Sequence, residues 1–114
     1  MTLSEKQRLF TKLVGNLITW SYANGYELTF GEAERKKAEA LLNAAQRDGI
    51  KNSLHLIRLA VDLNLFINGE YKTGLEDYRP LGEYWKSLDP NCCWGGDFHH
   101  PDADHFSYTH RGIR

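Results

Sequence analysis

Apolar residues recur along the start of the chain at Leu3, Phe10, Leu13, Val14, Leu17 and Ile18, at spacings of three, four and seven. Glu5, Lys6, Arg8 and Lys12 fall on the other side. That period predicts an amphipathic helix over residues 3 to 22. Ser4 is expected to supply a capping oxygen at its start, and Asn24-Gly25 a stop and a turn. Tyr26 to Phe30, closed by Gly31, has the aromatic and β-branched character of a short strand. Residues 32 to 47 return to helix-forming Ala, Glu, Lys and Leu and end at Asp48-Gly49.

From Leu59 the period shortens to two. Leu59, Val61, Leu63, Leu65 and Ile67 alternate with Ala60, Asp62, Asn64 and Phe66, which predicts a strand, and the Asn68-Gly69 that follows predicts a tight hairpin into Tyr71-Lys72-Thr73. Leu75, Tyr78, Leu81, Tyr84, Trp85 and Leu88 resume helical spacing, with Pro80 expected to set the first turn of that helix. Trp94 to Phe98 is read as a bent strand or turn, and His105 to Thr109 as a closing strand. Helices followed by hairpin-connected strands predict an α+β domain, with N-terminal helices packed on a small, mainly antiparallel sheet. A single domain is expected to span residues 1 to 114.

Charge narrows the partners. Fourteen basic against fifteen acidic side chains give a net charge of −1, so the broad basic field that holds a phosphate backbone is missing and nucleic acid is not expected. No apolar run approaches the ~20 residues that span a bilayer, and no secretory leader is visible at the N-terminus. Membrane insertion is not expected, synthesis is expected in the cytosol, and a monomer is expected. Cys92 and Cys93 are neighbours, for which a mutual bridge is strained, and are read as reduced thiols.

Two features stand out chemically. Asp62 is a carboxylate in the middle of a strand whose other face is aliphatic, costly unless water, a partner charge or a metal meets it. Seven residues earlier lies His55. That odd separation would put the two on opposite faces of one continuous strand, so His55 must sit on the incoming segment to reach the same centre. The second feature is His99-His100-Pro101-Asp102-Ala103-Asp104-His105, three imidazoles and two carboxylates beside a Gly-Gly turn. One atom each from His55, Asp62 and His105 would form a three-ligand site with an open fourth position, the catalytic form of zinc. Asp102 would then stand ready to move a proton. The competing reading is a polar, solvent-facing tail with scattered histidines.

The segment from Ser53 to Asp62, Ser-Leu-His-Leu-Ile-Arg-Leu-Ala-Val-Asp, resembles the S-x-H-x-x-G-x-A-x-D motif of the zinc D-alanyl-D-alanine carboxypeptidases and the related L-alanyl-D-glutamate endopeptidases of phage endolysins. Asp102-Ala103-Asp104-His105-Phe106 resembles their second motif, D-x-x-H before an apolar residue, and Trp94-Gly95-Gly96-Asp97-Phe98 is similar to the stretch preceding it in phage members. Phe30 to Arg35 resembles the strand exit that carries the family's arginine. The resemblance implies the zinc DD-peptidase (hedgehog-like) fold, with one Zn2+ held by His55, Asp62 and His105. It makes Asp102 the general base, Arg35 the cation facing a substrate carboxylate or oxyanion, and Ser53 an orienting residue behind a ligand.

The substrate so implied is the peptidoglycan stem peptide. The Trp94 to Phe98 segment and the absence of a leader favour an L-Ala-D-Glu endopeptidase released to the wall by a holin. A D-Ala-D-Ala carboxypeptidase and a non-catalytic zinc-containing module of the same fold are the alternatives; a histidine-rich nuclease lacks a basic groove. Two departures are plain. Arg58 occupies the motif's glycine position, which means either that no positive φ is needed there or that loop and strand meet differently. Lys36-Lys37-Ala38-Glu39-Ala40 stands where members often carry T-x-x-x-Q, leaving Arg35 open to being an ordinary exposed helix-start residue. His99, His100 and Asp104 are expected in solvent, Asp97 bracing the Gly-Gly turn, Trp94 in the core, and His110 to Arg114 as a loosely held tail.

Overall fold

The computed structural model describes residues 1–31 and 54–114, so the helix expected over 32 to 47, Arg35 and Ser53 lie outside the described residues. Helix α1 runs Leu3–Ala23 and buries Phe10, Leu13, Val14 and Leu17, the face marked by the sequence. Its cap is Thr2 rather than Ser4. The Thr2 hydroxyl accepts the Glu5 N–H at 3.1 Å while the Glu5 carboxylate accepts the Thr2 N–H at 2.9 Å, so two donors at the helix start satisfy each other's residues reciprocally. Asn24 caps the far end and Gly25, at φ 85°, turns the chain.

The strands are β1 (Tyr26–Phe30), β2 (Ala60–Ile67), β3 (Glu70–Lys72), β4 (Cys92–Trp94) and β5 (His105–Tyr108), and helix α2 (Leu75–Leu88) separates β3 from β4. All their pairings are antiparallel, in the order β1-β2-β5-β4, with β3 also on β2. Asn68 and Gly69 take φ of 54° and 77°, the left-handed pair that a two-residue hairpin turn demands. One flank of β2 is shared: Ala60 to Asp62 pair with β5 and Leu65 to Ile67 with β3. In the gap between, the Tyr78 hydroxyl donates to the Leu63 carbonyl at 3.0 Å and accepts the Leu65 N–H at 3.0 Å. A phenol from α2 thus replaces a missing piece of strand, and burial pushes its pKa up.

Pro80 falls in the second turn of α2, not the first; Glu76 and Asp77 occupy the first turn, where acid side chains complement the helix dipole. Trp85 and Trp94 are fully buried between α2 and the sheet with Phe106 and Leu81. The Trp85 indole N–H is shared between the Cys93 and Ser107 carbonyls at 3.0 and 3.1 Å, tying α2 across β4 and β5. Both cysteines are free thiols, and burial raises that of Cys92 to about 12. The C-terminal tail departs from expectation. His110 and Ile113 form a bridge, Lys6 Nζ lies 3.0 Å from His110 Nδ1, and the Arg114 guanidinium stacks 5.1 Å from the Phe98 ring centre. No helix among the described residues is long and apolar enough to cross a membrane.

Candidate metal centre

His55 lies in a helical stretch, described over residues 54–56, that is followed by a turn leading into β2 at Ala60. The Leu59 N–H donates to the Leu54 carbonyl at 2.8 Å and the Arg58 N–H to the His55 carbonyl at 3.2 Å. These are the paired bonds of a Schellman ending, sealed by contact between apolar residues at its two ends. Leu54 and Leu59 supply that pair, both fully buried. From α1, Gln7 Nε2 donates to the Ile57 carbonyl at 2.8 Å, satisfying one of the acceptors a helix end leaves open. The chain reverses here, so the parity argument holds: His55 precedes the strand and reaches Asp62 from outside it.

The reversal requires a left-handed residue, and Arg58 provides it at φ 59°. The expectation that an arginine at the motif's glycine position means no positive φ is needed is therefore corrected: Arg58 itself takes the left-handed conformation. A non-glycine side chain in this region costs roughly 1–2 kcal/mol, partly offset because glycine loses more freedom on folding. Arg58→Gly is expected to raise stability by about 1 kcal/mol, read as a higher urea midpoint with an unchanged slope. A lower midpoint would show that the exposed Arg58 side chain contributes more than the strain it carries.

Asp62 and His105 are direct cross-strand partners, paired between β2 and β5. Such partners project from the same face of the sheet. Asp62 is 6% exposed and His105 1%. Asp62 Oδ1 stands 3.5 Å from His55 Nε2 and 3.7 Å from His105 Nδ1, and the two imidazole centres are 5.3 Å apart. One ligand atom from each of the three residues lies within 4.8 Å of the others.

This donor set fits a zinc ion. Two ligands at zinc–nitrogen and zinc–oxygen lengths in a tetrahedron are about 3.4 Å apart, close to the separations here. His105 Nε2 is buried and has no hydrogen-bond partner among the described residues, which costs free energy unless something else meets the ring. Two imidazoles and one carboxylate form a borderline-soft set suited to zinc. Asp62, Asp102 and Asp104 form a second group within the same 4.8 Å limit, but an all-carboxylate set suits harder cations.

Asp102 reaches the centre through the same turn as His105. The His105 N–H donates to the Asp102 carbonyl at 3.1 Å, closing Asp102-Ala103-Asp104-His105 into a four-residue turn. The D-x-x-H spacing is that turn. Its middle is fastened to the core by Trp94 Nε1, which donates to the Ala103 carbonyl at 2.7 Å, and its start by the Asp102 N–H, which donates to the Gly95 carbonyl at 2.9 Å. Trp94 therefore holds the turn from inside the core. A cavity of about 170 Å³ opens beside it, lined by Tyr71, Thr73, Tyr78 and Pro101 to Asp104.

Asp104, expected in solvent, is half-buried, with its carboxylate near those of Asp62 and Asp102. It sits in the turn one residue before the candidate ligand His105, the sign in the sequence that could have drawn attention to it. His99 and His100 are exposed, their rings 4.8 Å apart. Asp97 pairs with Lys86 at 2.8 Å, fastening the short 3-10 turn Gly95–Asp97 to α2.

A family model described as D-alanyl-D-alanine carboxypeptidase matches residues 46–108, more than half of the chain. The matched span contains His55, Asp62, Asp102 and His105, whereas Arg35 precedes it. No curated protein and no solved structure matches the chain.

Proposed function

The chain belongs to the D-alanyl-D-alanine carboxypeptidase family, which makes it a zinc-dependent peptidase, and from that premise we propose that it cleaves the L-Ala-D-Glu bond of the peptidoglycan stem peptide. The observation that carries the peptidase chemistry is the convergence of His55, Asp62 and His105 beside Asp102. A bound zinc ion supplies a Lewis acid that brings the pKa of water to about 7 and polarises a carbonyl. The protein's own residues do the rest. His55, Asp62 and His105 would hold the ion, their directions set by β2, β5 and the Schellman turn. Asp102 accepts the proton of the attacking water and hands it to the departing amine nitrogen, so its carboxylate ends as it began. Arg35, as a guanidinium near the substrate, would meet a carboxylate or the developing oxyanion.

The choice of bond is supported by the Trp94 to Phe98 segment, which resembles the corresponding stretch of phage endopeptidases. The description of the matching family favours the second reading, removal of terminal D-Ala. Mass spectrometry of digested peptidoglycan separates them. Released stem peptides lacking L-Ala are expected; loss of D-Ala alone would replace the endopeptidase by the carboxypeptidase. Intact stem peptides after incubation with the zinc-loaded protein would overturn both.

A further inference from the structure

Asp62 has two cross-strand neighbours. On the β5 side stands His105. On the β1 side the register Phe30↔Leu63, continued one step, brings Gly31 opposite Asp62, and the Gly31 N–H donates to the Asp62 carbonyl at 2.8 Å. Directly opposed residues normally keep their Cβ atoms about 4.5–5.5 Å apart. At Gly31 the backbones are closer than that allows: a Cβ there would lie 2.8 Å from Asp62 Cβ and 3.2 Å from its carbonyl oxygen. Any side chain at position 31 would have to occupy volume that Asp62 now fills.

The other strand of the site has a matching contact. Gly95, just after β4, is buried, and a Cβ on it would fall 2.1 Å from the Asp102 carbonyl oxygen and 2.7 Å from His105 Cβ. The same glycine's carbonyl accepts the Asp102 N–H. Neither Gly31 nor Gly95 has a positive φ, so backbone conformation does not require glycine at either place. What requires it is proximity, in both cases to residues of the metal centre.

We infer that Gly31 and Gly95 are positioning residues of the metal site, setting the separation of Asp62 and His105 by bringing bare backbone against each of them. This rests on the reading that those two residues and His55 share an ion. Contacts this short are relieved only by movement: a methyl group at position 31 pushes aside the strand that carries Asp62, and one at position 95, 2.1 Å from the Asp102 carbonyl oxygen, pushes the turn that carries His105 further still. Such movement spoils a three-ligand tetrahedron, and residues standing behind metal ligands are worth about 10- to 100-fold in metal affinity.

The experiment compares full-length wild type, Gly31→Ala, Gly95→Ala and Leu17→Ala. Leu17 is the control, because it is fully buried on α1 and its truncation opens a cavity in the core without touching the residues that hold the turn by hydrogen bonds. Zinc affinity is read by competition with a chromophoric chelator, ligand geometry by the visible spectrum of the cobalt-substituted protein, and folding by circular dichroism of the metal-free form. Folded Gly31→Ala and Gly95→Ala are expected to bind zinc about 10- to 100-fold more weakly with altered cobalt bands. Leu17→Ala is expected to lose stability and keep both metal readouts. Should Gly95→Ala fail to fold, Gly31→Ala decides alone.

Wild-type affinity and spectrum in the folded site variants would overturn the inference. So would an equal loss of affinity in Leu17→Ala, or failure of both site variants to fold, since either result makes these glycines general packing residues. A wild type that binds no zinc would overturn the metal-centre reading itself, a result distinguishable from variants that bind as well as wild type.

Discussion

His105→Ala should lose zinc and peptidase activity together, with His55→Ala following it. The expected fall in affinity exceeds the roughly 10- to 100-fold that loss of an outer contact costs, because one of only three protein ligands disappears. A second readout comes from linkage. An ion that binds the folded chain and not the unfolded one stabilises it by about 2.7 kcal/mol at a hundred times its dissociation constant. Wild type should therefore melt at a lower temperature once chelator removes the metal, while the histidine variants should melt alike with and without chelator. His105 is buried, so its truncation also leaves a cavity and lowers the melting temperature of the metal-free form. His55, at the margin of the site, isolates the metal effect more cleanly. Stoichiometric zinc in purified His55→Ala and His105→Ala would remove both from the ligand set and leave the Asp62, Asp102 and Asp104 group as the place to look.

What could be read from the sequence was whatever is written in periodicity. The alternation from Leu59 to Ile67 fixes β2 and makes Asp62 conspicuous, since a carboxylate amid aliphatic positions is an energetic anomaly visible without coordinates. Parity alone then demanded that His55 lie outside the strand, and the turn at residues 54–56 meets that demand. The D-x-x-H spacing likewise becomes a hydrogen-bonded turn that starts at Asp102 and ends at His105.

Contacts that leave no trace in polarity were not legible. Gly31 and Gly95 matter because of what presses against them, and an absent side chain has no period. Thr2 outcompetes Ser4 as the cap because Glu5 is placed to answer it; both hydroxyls look alike in the sequence. Pro80 resembles a helix-start residue, yet packing of Tyr78, Leu81 and Trp85 extends α2 before it, burial outweighing the one backbone bond that proline removes. Arg58 at the motif's glycine position was read as meaning either that no positive φ is needed or that loop and strand meet differently; the Schellman bonds on either side of it and its φ of 59° rule out the first. Local propensity lost to tertiary structure at that position, as it does where an active site fixes the backbone.

Asp102→Asn should retain zinc and lose about 10²- to 10⁴-fold in kcat, the range a positioned general base supplies. The substitution keeps the shape of the side chain, and the turn that carries it is held by main-chain bonds: Asp102 N–H to Gly95, and His105 N–H to Asp102. Neither depends on the carboxylate. His105 should therefore stay in place, and metal content becomes a test of role. A carboxamide cannot take the proton of water, so the chemical step fails while the site still fills. Were zinc lost along with activity, Asp102 would be a ligand rather than a base. Asp104→Asn is the necessary companion, because its carboxylate lies in the same group and either acid could in principle receive the proton. The turn distinguishes them: Asp102 starts it and Asp104 immediately precedes the ligand, with the Asp104 carbonyl held by the Leu63 N–H at 3.0 Å. Asp104→Asn is expected to cost less than about tenfold in kcat, well short of the loss of a general base. If Asp104→Asn instead shows the larger loss with zinc retained, the base is Asp104 and the resemblance of the second motif has assigned the proton to the wrong end of the turn.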